Sequence, residues 1–237
     1  MNKSNSKSVM LITGTSKGIG KYLADYYLNK GFTVIGCSRS ACEIENDNYT
    51  HIIADISNED EILNIFKIIR KDYKRLDVLI NNAAINSAIL NVAFLPYETI
   101  QKIFKINVFA PIMFCREAVK LMSRNKFGRI INLGSMATRH EVAGEALYTA
   151  TKASINAFTR VLSKEVINLG ITVNVLAPSA IETDLSKAIN QDALMEVLNR
   201  NAIKQYGDLI DVSNSIDYLI KEESKSVTGQ VIYLGGV

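Results

Sequence analysis

Two side chains that could move a proton lie four positions apart in the run Tyr148-Thr-Ala-Thr-Lys152. A helix from Leu147 to Ile167 would place both on one face. A free phenol, with a pKa of about 10, is a poor proton partner at neutral pH, and a nearby cation lowers that pKa. Ser135 follows the apolar run Arg129–Leu133, where a parallel sheet presents its ligand crevice. Its hydroxyl could hold a substrate oxygen. The three residues predict proton transfer to the alkoxide that forms when hydride reaches a carbonyl.

Each of these residues also has an ordinary structural explanation. A Tyr and a Lys at this spacing are usually a helix surface pair, and a Ser after a strand is usually a turn or cap residue. A catalytic interpretation depends on their combination with a glycine-rich turn earlier in the chain.

That turn is Thr13-Gly-Thr-Ser-Lys-Gly-Ile-Gly20, between the apolar run Val9–Ile12 and a helical pattern from Ile19 to Asn29. Glycines let the backbone turn tightly and let a pyrophosphate approach the unpaired N–H groups at a helix N-terminus. The spacing is Gly-x3-Gly-x-Gly, and alone it is a weak signal. Its position after the first strand of a βαβ unit strengthens the prediction of cofactor binding by Gly14, Ser16, Lys17, Gly18, Ile19 and Gly20.

The end of the second predicted strand indicates which cofactor is preferred. NAD sites usually carry Asp or Glu there, about 20 residues past the glycines, to accept from the ribose 2′-hydroxyl. Here Ser38 and Arg39 occupy the place. Ser can hydrogen-bond to a 2′-phosphate, Arg can pair with it bidentately, and Lys17 could add a second positive charge. The alternative is that both cations are ordinary solvated surface residues. The pattern favours NADP(H).

Short apolar runs alternate with longer amphipathic stretches along the chain, which is typical of a parallel sheet covered by helices. Near-continuous apolar strands indicate a sheet buried on both faces, and right-handed crossovers then give a doubly wound, Rossmann-type fold. With only three prolines and no flexible linker, residues 1–237 are predicted to form a single α/β domain. We expect about seven strands, at Val9–Ile12, Thr33–Cys37, His51–Ala54, Val78–Ile80, Arg129–Leu133, Thr172–Leu176 and Gln230–Leu234.

The motifs together resemble the short-chain dehydrogenase/reductase family over nearly the whole chain. They are Thr13-Gly14-x3-Gly18-x-Gly20, Asp55, Asn81-Asn82-Ala83, Asn107, Ser135, Tyr148-x3-Lys152 and the segment from Pro178 to Thr183.

The resemblance implies an NAD(P)-dependent oxidoreductase with Ser135, Tyr148 and Lys152 as catalytic residues. It implies that Asn107 anchors a water in a proton relay through Lys152, and that Asp55 hydrogen-bonds the adenine. Asn82 would support the central strand beside the cofactor. The backbone of Ile181 and the side chain of Thr183 would hold the nicotinamide carboxamide. Further cofactor contacts are implied at Ile56, Ala83, Tyr148 and Lys152.

Two positions depart from the family pattern, although neither removes a reacting group. Ala84 ends the Asn-Asn-Ala-Ala run where the family usually has Gly, which would narrow the space near the cofactor. Ser179 follows Pro178 in place of Gly, which would restrict φ in the turn beside the nicotinamide.

The segments Gly128–Ser135 and Gly170–Pro178 look most like those of 3-oxoacyl-carrier-protein reductases, which reduce a β-keto thioester with NADPH. That resemblance implies basic residues before both strands to grip an acidic carrier protein. Lys126 could serve at the first place, but Leu169 stands at the second. Half of the expected docking charge is therefore missing.

Two alternatives therefore stay open. Residues 136–147 and 184–206 should frame the substrate pocket, and the first stretch carries Arg139, His140, Glu141 and Glu145, a more polar set than an acyl tunnel needs. The substrate could then be a small polar or sugar-like ketone, although solvated loop charges, with His140 exposed and without a role, are the ordinary explanation. The chain could also bind NADPH without turnover, as a sensor or scaffold.

Bulk properties limit the other function classes. The net charge of +3 is spread along the chain, which gives no reason to expect nucleic acid or a membrane as partner. Met1–Ser8 lacks the apolar stretch of a secretory signal, and no run is long enough to span a bilayer. Three cysteines without metal-ligand spacing suggest reduced thiols, a cytoplasmic location and no metal. By resemblance, helices Tyr97–Met122 and Leu147–Ile167 would pack against symmetry mates in a dimer or tetramer.

Overall fold

A parallel β-sheet forms the central layer of the protein in the computed structural model, which describes residues 7–86, 90–182, 195 and 198–236. Its seven strands are β1 (Val9–Thr13), β2 (Thr33–Ser38), β3 (Tyr49–Ile53), β4 (Val78–Asn81), β5 (Gly128–Leu133), β6 (Ile171–Ala177) and β7 (Val231–Tyr233). The spatial order is β3-β2-β1-β4-β5-β6-β7, and every neighbouring pair is parallel.

The central strands are buried along their whole length because helices cover both faces of the sheet. All residues of β1, β4, β5 and β6 are buried. This matches their near-continuous apolar sequence, since a strand covered on both sides has no reason to alternate polar with apolar residues.

Helices lie on both faces, which confirms the doubly wound prediction. The α-helices of the described ranges are α1 (Gly18–Asn29), α2 (Glu59–Ile68), α3 (Tyr97–Phe104), α4 (Ala110–Met122), α5 (Ala137–His140), α6 (Ala146–Val166) and α7 (Leu209–Ile220). Leu23 of α1 and Ile216 of α7 belong to one apolar core. Phe66 of α2, Phe114 of α4 and Val166 of α6 belong to the core on the other face.

The helix predicted from Tyr97 to Met122 contains an irregularity that the sequence pattern does not show. A π-helical turn, Lys105–Phe109, joins α3 to α4. A similar turn, Ile69–Tyr73, extends α2. A π-turn inserts one residue into a helix without ending it, so the periodicity on either side still reads as helical.

The strand order reverses direction between β1 and β4, which are neighbours although β2 and β3 intervene in sequence. Crossovers leave the sheet in opposite directions there, so a crevice opens at the carboxyl ends of the two strands. None of the helices within the described ranges is long and apolar enough to cross a bilayer.

Candidate active site

A cavity of about 560 Å³ lies at the carboxyl ends of the central strands. Its volume falls in the usual range for a small-molecule or cofactor site. Gly20 and Asn107 are not part of its wall, and Thr183 lies outside the described residues. The other residues predicted for the site all line it: Gly14, Ser16, Lys17, Gly18, Ile19, Ser38, Arg39, Asp55, Ile56, Asn82, Ala83, Ser135, Tyr148, Lys152 and Ile181.

The glycine loop has the conformation that its sequence predicts. Gly14 and Gly18 adopt positive φ, at +77° and +59°. Gly20 packs so closely under the loop that a Cβ there would lie 2.1 Å from the carbonyl oxygen of Gly14. The amino end of α1 opens on the cavity, carries no acidic residue in its first turn, and is not capped by the side chain of Lys17. These N–H donors suit a phosphate-bearing cofactor.

Thr13 joins this loop to the end of β4. Its Oγ1 accepts hydrogen bonds from the backbone N–H groups of Asn82 at 3.0 Å and Ala83 at 2.9 Å. In return, the Asn82 amide donates to the carbonyl oxygen of Thr13 at 2.8 Å. Sequence reasoning assigned the supporting role to Asn82 alone. The available signal for Thr13 was a polar residue at the last position of an apolar strand.

The end of the cavity beside Ser38 and Arg39 contains a hydrogen-bond network that the sequence did not indicate. The Ser38 hydroxyl donates to the carbonyl oxygen of Ser40 at 2.7 Å. Nε2 of His51, on β3, lies 3.1 Å from Ser38 Oγ and 3.0 Å from the same carbonyl. Since a carbonyl oxygen only accepts, this arrangement places a proton on Nε2. The Ser38 hydroxyl would therefore have to rotate before it could donate to a phosphate, which the sequence interpretation did not anticipate.

Asp55 and Arg39 both line this end of the cavity. The backbone N–H of Ser57 donates to Asp55 Oδ1 at 2.9 Å. That hydrogen bond, with the positive charge of Arg39 as a smaller contribution, lowers the pKa of Asp55. The carboxylate is therefore charged and acts only as an acceptor at neutral pH.

Tyr148 and Lys152 project from one face of α6, as their spacing predicts, and both are buried. Nζ of Lys152 donates to the carbonyl oxygen of Leu133 at 2.8 Å and lies 5.7 Å from the centre of the Tyr148 ring. Burial lowers the pKa of Lys152 to about 8. Leu133 was not among the residues predicted for the site, because a backbone acceptor leaves no trace in side-chain type.

The protonation of Tyr148 differs from the sequence-based expectation. Burial raises its pKa to about 12; the Ser135 hydroxyl offsets part of the rise and the charge of Glu145 adds to it. The expected lowering by Lys152 is not present, because loss of hydration outweighs the other influences. Tyr148 is thus a neutral phenol at pH 7, with a proton to donate.

Ser135 lies just after β5 with its side chain on the cavity. Its Oγ accepts from the backbone N–H of Ala137 at 3.1 Å. That bond uses one lone pair and leaves the hydroxyl proton for an acceptor in the cavity.

Asn107 sits within the π-turn and is 2% exposed. Its side-chain amide accepts from the backbone N–H of Ile85 at 2.9 Å and donates to the carbonyl oxygen of Ile85 at 2.8 Å. It also lies 3.3 Å from Thr151 Oγ1. The side chain therefore holds Ile85, which lines the cavity, and its hydrogen bonds do not run toward Lys152.

Comparison with known proteins identifies the family. A family model described as short chain dehydrogenase matches residues 8–194. The chain belongs to this family. Its sequence is 30% identical over 234 residues to the 3-oxoacyl-[acyl-carrier-protein] reductase FabG of Vibrio cholerae, covering 96% of each protein. It is 34% identical over 232 residues to FabG of Rickettsia felis, covering 95% of this chain and 94% of the relative. A solved structure of ElxO with NADP bound superposes with a TM-score of 0.88 at 26% identity over 97% of each chain. The chain is thus an oxidoreductase that resembles the 3-oxoacyl reductases.

The two departures from the short-chain dehydrogenase pattern have different consequences. Ala84 lines the cavity, so its methyl group does occupy space there. Ser179 does not adopt positive φ, so this turn does not need glycine. Its Oγ instead accepts from the Asn201 amide at 2.7 Å, which ties the turn to the C-terminal part of the chain.

Only one of the four polar residues predicted near the substrate faces the cavity. Arg139 stacks over the Tyr233 ring, and Glu141 is exposed at the end of α5. His140 is partly buried, with Nε2 2.7 Å from the side-chain oxygen of Asn201, so its placement in an exposed loop was wrong. Glu145 is 9% exposed and lines the cavity. Of residues 184–206, those that the structure describes, 195 and 198–206, do not line this cavity.

The two positions compared with carrier-protein docking residues lie away from the cavity. Lys126 is exposed beside the first residue of β5, and Leu169 is partly buried beside the first residue of β6. Because the strands are parallel, both sit at the edge of the sheet opposite the cavity. Within the described residues, no three His, Cys, Asp or Glu side chains lie close enough to hold a metal ion, and the three cysteines are free.

Proposed function

We propose that this chain is an NADPH-dependent reductase that converts a ketone to a secondary alcohol, with Tyr148 as the proton donor. The observation that carries the proposal is the buried phenol of Tyr148 beside Lys152 and Ser135 at the wall of a cofactor-sized cavity. Its raised pKa keeps the proton on the phenol until an alkoxide forms, and the alkoxide is a much stronger base than the phenolate and takes the proton.

In this proposal the hydride for the carbonyl carbon would come from a nicotinamide cofactor held along the cavity. Ser135 donates a hydrogen bond to the carbonyl oxygen and stabilises the charge that develops on it. Tyr148 then gives its proton to that oxygen. Lys152, held by the carbonyl oxygen of Leu133, carries a positive charge below pH about 8 and stabilises the phenolate that remains. Asn107 is a positioning residue, because it acts by fixing Ile85.

The residues that would hold the cofactor follow the cavity from end to end. The N–H groups around Gly14, Ser16, Gly18 and Ile19 would bind the pyrophosphate, with Gly20 giving the room for the turn. Asp55 and Ile56 would contact the adenine, while Asn82 and Ala83 would border the central part. Ile181 and Thr183 would hold the nicotinamide carboxamide. Arg39, with Lys17, supports NADPH over NADH, since the positive charge of Arg39 counters the carboxylate of Asp55, which lines that end of the cavity.

Sequence similarity supports a 3-oxoacyl thioester as the substrate, because relatives at 30% and 34% identity bear that name over nearly their whole length. One observation favours a second candidate, a small polar ketone: the carboxyl group of Glu145 lies in the cavity wall. The position of Leu169, where a basic docking residue is absent, also weakens the case for a carrier-bound substrate.

We also propose that residues 1–237 act as one catalytic domain and that the chain forms a homodimer or homotetramer. Phe109, just before α4, and Val161, on α6, are both 57% exposed. Apolar side chains at this exposure on two neighbouring helices support a contact with a second copy. Light scattering of the purified protein measures this directly, and a monomer at micromolar concentration would contradict it.

The reductase proposal is tested by following NADPH absorbance with a panel of ketones that includes a 3-oxoacyl thioester. Tyr148→Phe should lower kcat by about 10²–10⁴-fold, since it removes one positioned acid, while NADPH binding persists. Tyr97→Phe, at an exposed tyrosine, is the matched control and should not change kcat. Unchanged NADPH binding with no turnover of any ketone in the parent protein would instead support the non-catalytic sensor or scaffold.

Cofactor preference has its own test. Arg39→Ser should raise KM for NADPH by at least about tenfold, the loss expected for a charge-assisted bond to phosphate, and leave KM for NADH within about threefold. Equal effects on both cofactors would show that Arg39 does not contact the 2′-phosphate.

A further inference from the structure

The wall of the cavity on the substrate side contains a carboxyl group without a protein partner. Glu145 immediately precedes α6, is 9% exposed, and lines the cavity together with Ser135 and Tyr148. In the part of the chain that the structure describes, no side chain or backbone N–H donates a hydrogen bond to its carboxyl oxygens.

A buried carboxylate without a hydrogen-bond donor is unfavourable unless a bound ligand supplies the donor. Buried charged groups in proteins are almost always paired or hydrogen-bonded, because loss of hydration is costly. Burial raises the pKa of Glu145, and the imidazole of His140 counteracts this only in part. That imidazole is itself engaged with Asn201 through Nε2. A hydrogen-bond donor on a substrate bound in the cavity would pair with the carboxylate of Glu145.

The position of Glu145 limits where that donor can be on the substrate. Glu145 and Tyr148 are three residues apart at the start of α6, a spacing that puts their Cβ atoms about 5–6 Å apart on one face of a helix. Both residues line the same cavity, and the charge of Glu145 contributes to the raised pKa of Tyr148. A substrate whose carbonyl oxygen meets Tyr148 would therefore reach Glu145 with a group on a nearby carbon.

We propose that Glu145 accepts a hydrogen bond from an ammonium or hydroxyl group carried on the first or second carbon beside the reacting carbonyl. The inference rests on the proposed ketone reductase function and narrows its substrate class to amino ketones and hydroxy ketones. An unsubstituted acyl chain would leave the carboxyl group of Glu145 unpaired.

The test uses three ketones that differ in one group: aminoacetone, hydroxyacetone and butan-2-one carry an ammonium, a hydroxyl and a methyl at the same place. The 4-amino, 4-hydroxy and 4-methyl derivatives of butan-2-one repeat the series one carbon further out. We expect the best donor-bearing ketone of either series to exceed its methyl analogue at least tenfold in kcat/KM. A higher kcat/KM for the amino ketone or for the hydroxy ketone identifies which donor group Glu145 binds.

Glu145→Gln keeps the shape of the side chain and removes its charge. It should lower kcat/KM for an amino ketone by about 10-fold or more, the loss expected for a hydrogen bond between charged groups. The methyl analogue should change by less than about threefold. Glu141→Gln makes the same charge change at an exposed position just before Glu145 and should leave both values unaltered.

The outcomes separate this inference from the function on which it rests. If the methyl ketones or an acetoacetyl thioester are reduced best, and Glu145→Gln leaves the substrate ratios unchanged, the inference is wrong although the reductase function stands. If no ketone is reduced, the reductase function fails, and binding then decides the role of Glu145. In that case 1-aminopropan-2-ol or propane-1,2-diol should raise the melting temperature of the NADP⁺-saturated protein but not of its Glu145→Gln variant. Equal shifts in both proteins, or none, would overturn the inference.

Discussion

Two buried threonines in the sheet provide a direct comparison of a paired and an unpaired hydroxyl. Thr13 on β1 is 2% exposed, and its Oγ1 accepts the backbone N–H groups of Asn82 and Ala83. Thr172 on β6 is 1% exposed, and its Oγ1 has no hydrogen-bond partner among the residues that the structure describes. We predict that the same change, Thr→Val, has opposite effects on stability at the two positions.

The magnitudes follow from the hydrogen bonds. Thr13→Val leaves the partly buried N–H of Ala83 without an acceptor, at a cost of about 1–3 kcal/mol, whereas the N–H of Asn82 keeps the carbonyl oxygen of Ile80 at 3.1 Å. The free energy of unfolding should therefore fall by about 1–3 kcal/mol. Thr172→Val removes a buried hydroxyl that has no partner, and the free energy should stay the same or rise by up to about 2 kcal/mol. Both changes keep a β-branched side chain, so strand preference cancels in the comparison.

Urea denaturation measures the free energies, and thermal unfolding gives an independent reading. For a chain of this length each kcal/mol shifts the melting temperature by roughly 2–4 °C, so Thr13→Val should melt at least about 2 °C lower. Because Thr13 precedes Gly14, the same variant should bind NADPH more weakly, whereas Thr172→Val should not. Thr13→Ser retains the acceptor and should recover most of the loss. Equal destabilisation by both Thr→Val changes would refute the assignment of the Thr13 hydrogen bonds.

Two further predictions concern single buried cations. Burial lowers the pKa of Lys152 to about 8, so its positive charge is present below that pH and is lost above it. At saturating NADPH, kcat/KM for ketone reduction should therefore fall by up to about tenfold per pH unit above about pH 8. A flat pH profile of kcat/KM from about pH 7 to about pH 9.5 would contradict this. Arg129 is fully buried, and its guanidinium donates to the carbonyl oxygen of Lys221 at the end of α7 and to that of Gly128. Arg129→Ala should reduce the free energy of unfolding by at least about 3 kcal/mol through the unpaired carbonyls and the cavity, as measured by urea denaturation, while Arg124→Ala at an exposed position should have little effect.

The elements and the main site residues could be predicted because they depend on local signals. Apolar runs bounded by turns located all seven strands to within a few residues. The conformation of the glycine loop could be predicted because positive φ at Gly14 and Gly18 is readily adopted by glycine itself. Tyr148 and Lys152 were paired correctly because a spacing of four is a geometric property of any helix.

Several details that sequence reasoning missed depend on hydrogen-bond partners far away in the chain. Thr13 Oγ1 accepts a hydrogen bond from the backbone N–H of Asn82, 69 residues later. Ser38 Oγ lies 3.1 Å from Nε2 of His51, on another strand. The π-turn at Lys105–Phe109 directs the Asn107 side chain to Ile85.

By itself, the sequence of this protein determined the order of its strands and helices, the position of the glycine-rich turn and the candidates for proton transfer. These follow from residue type, periodicity and spacing, which act over a few positions. Only the tertiary structure decided that burial raises the pKa of Tyr148 and lowers that of Lys152 to about 8, and that Glu145 alone among four polar candidates lines the cavity. The reason is that hydration and electrostatic environment depend on what the whole fold packs around a group.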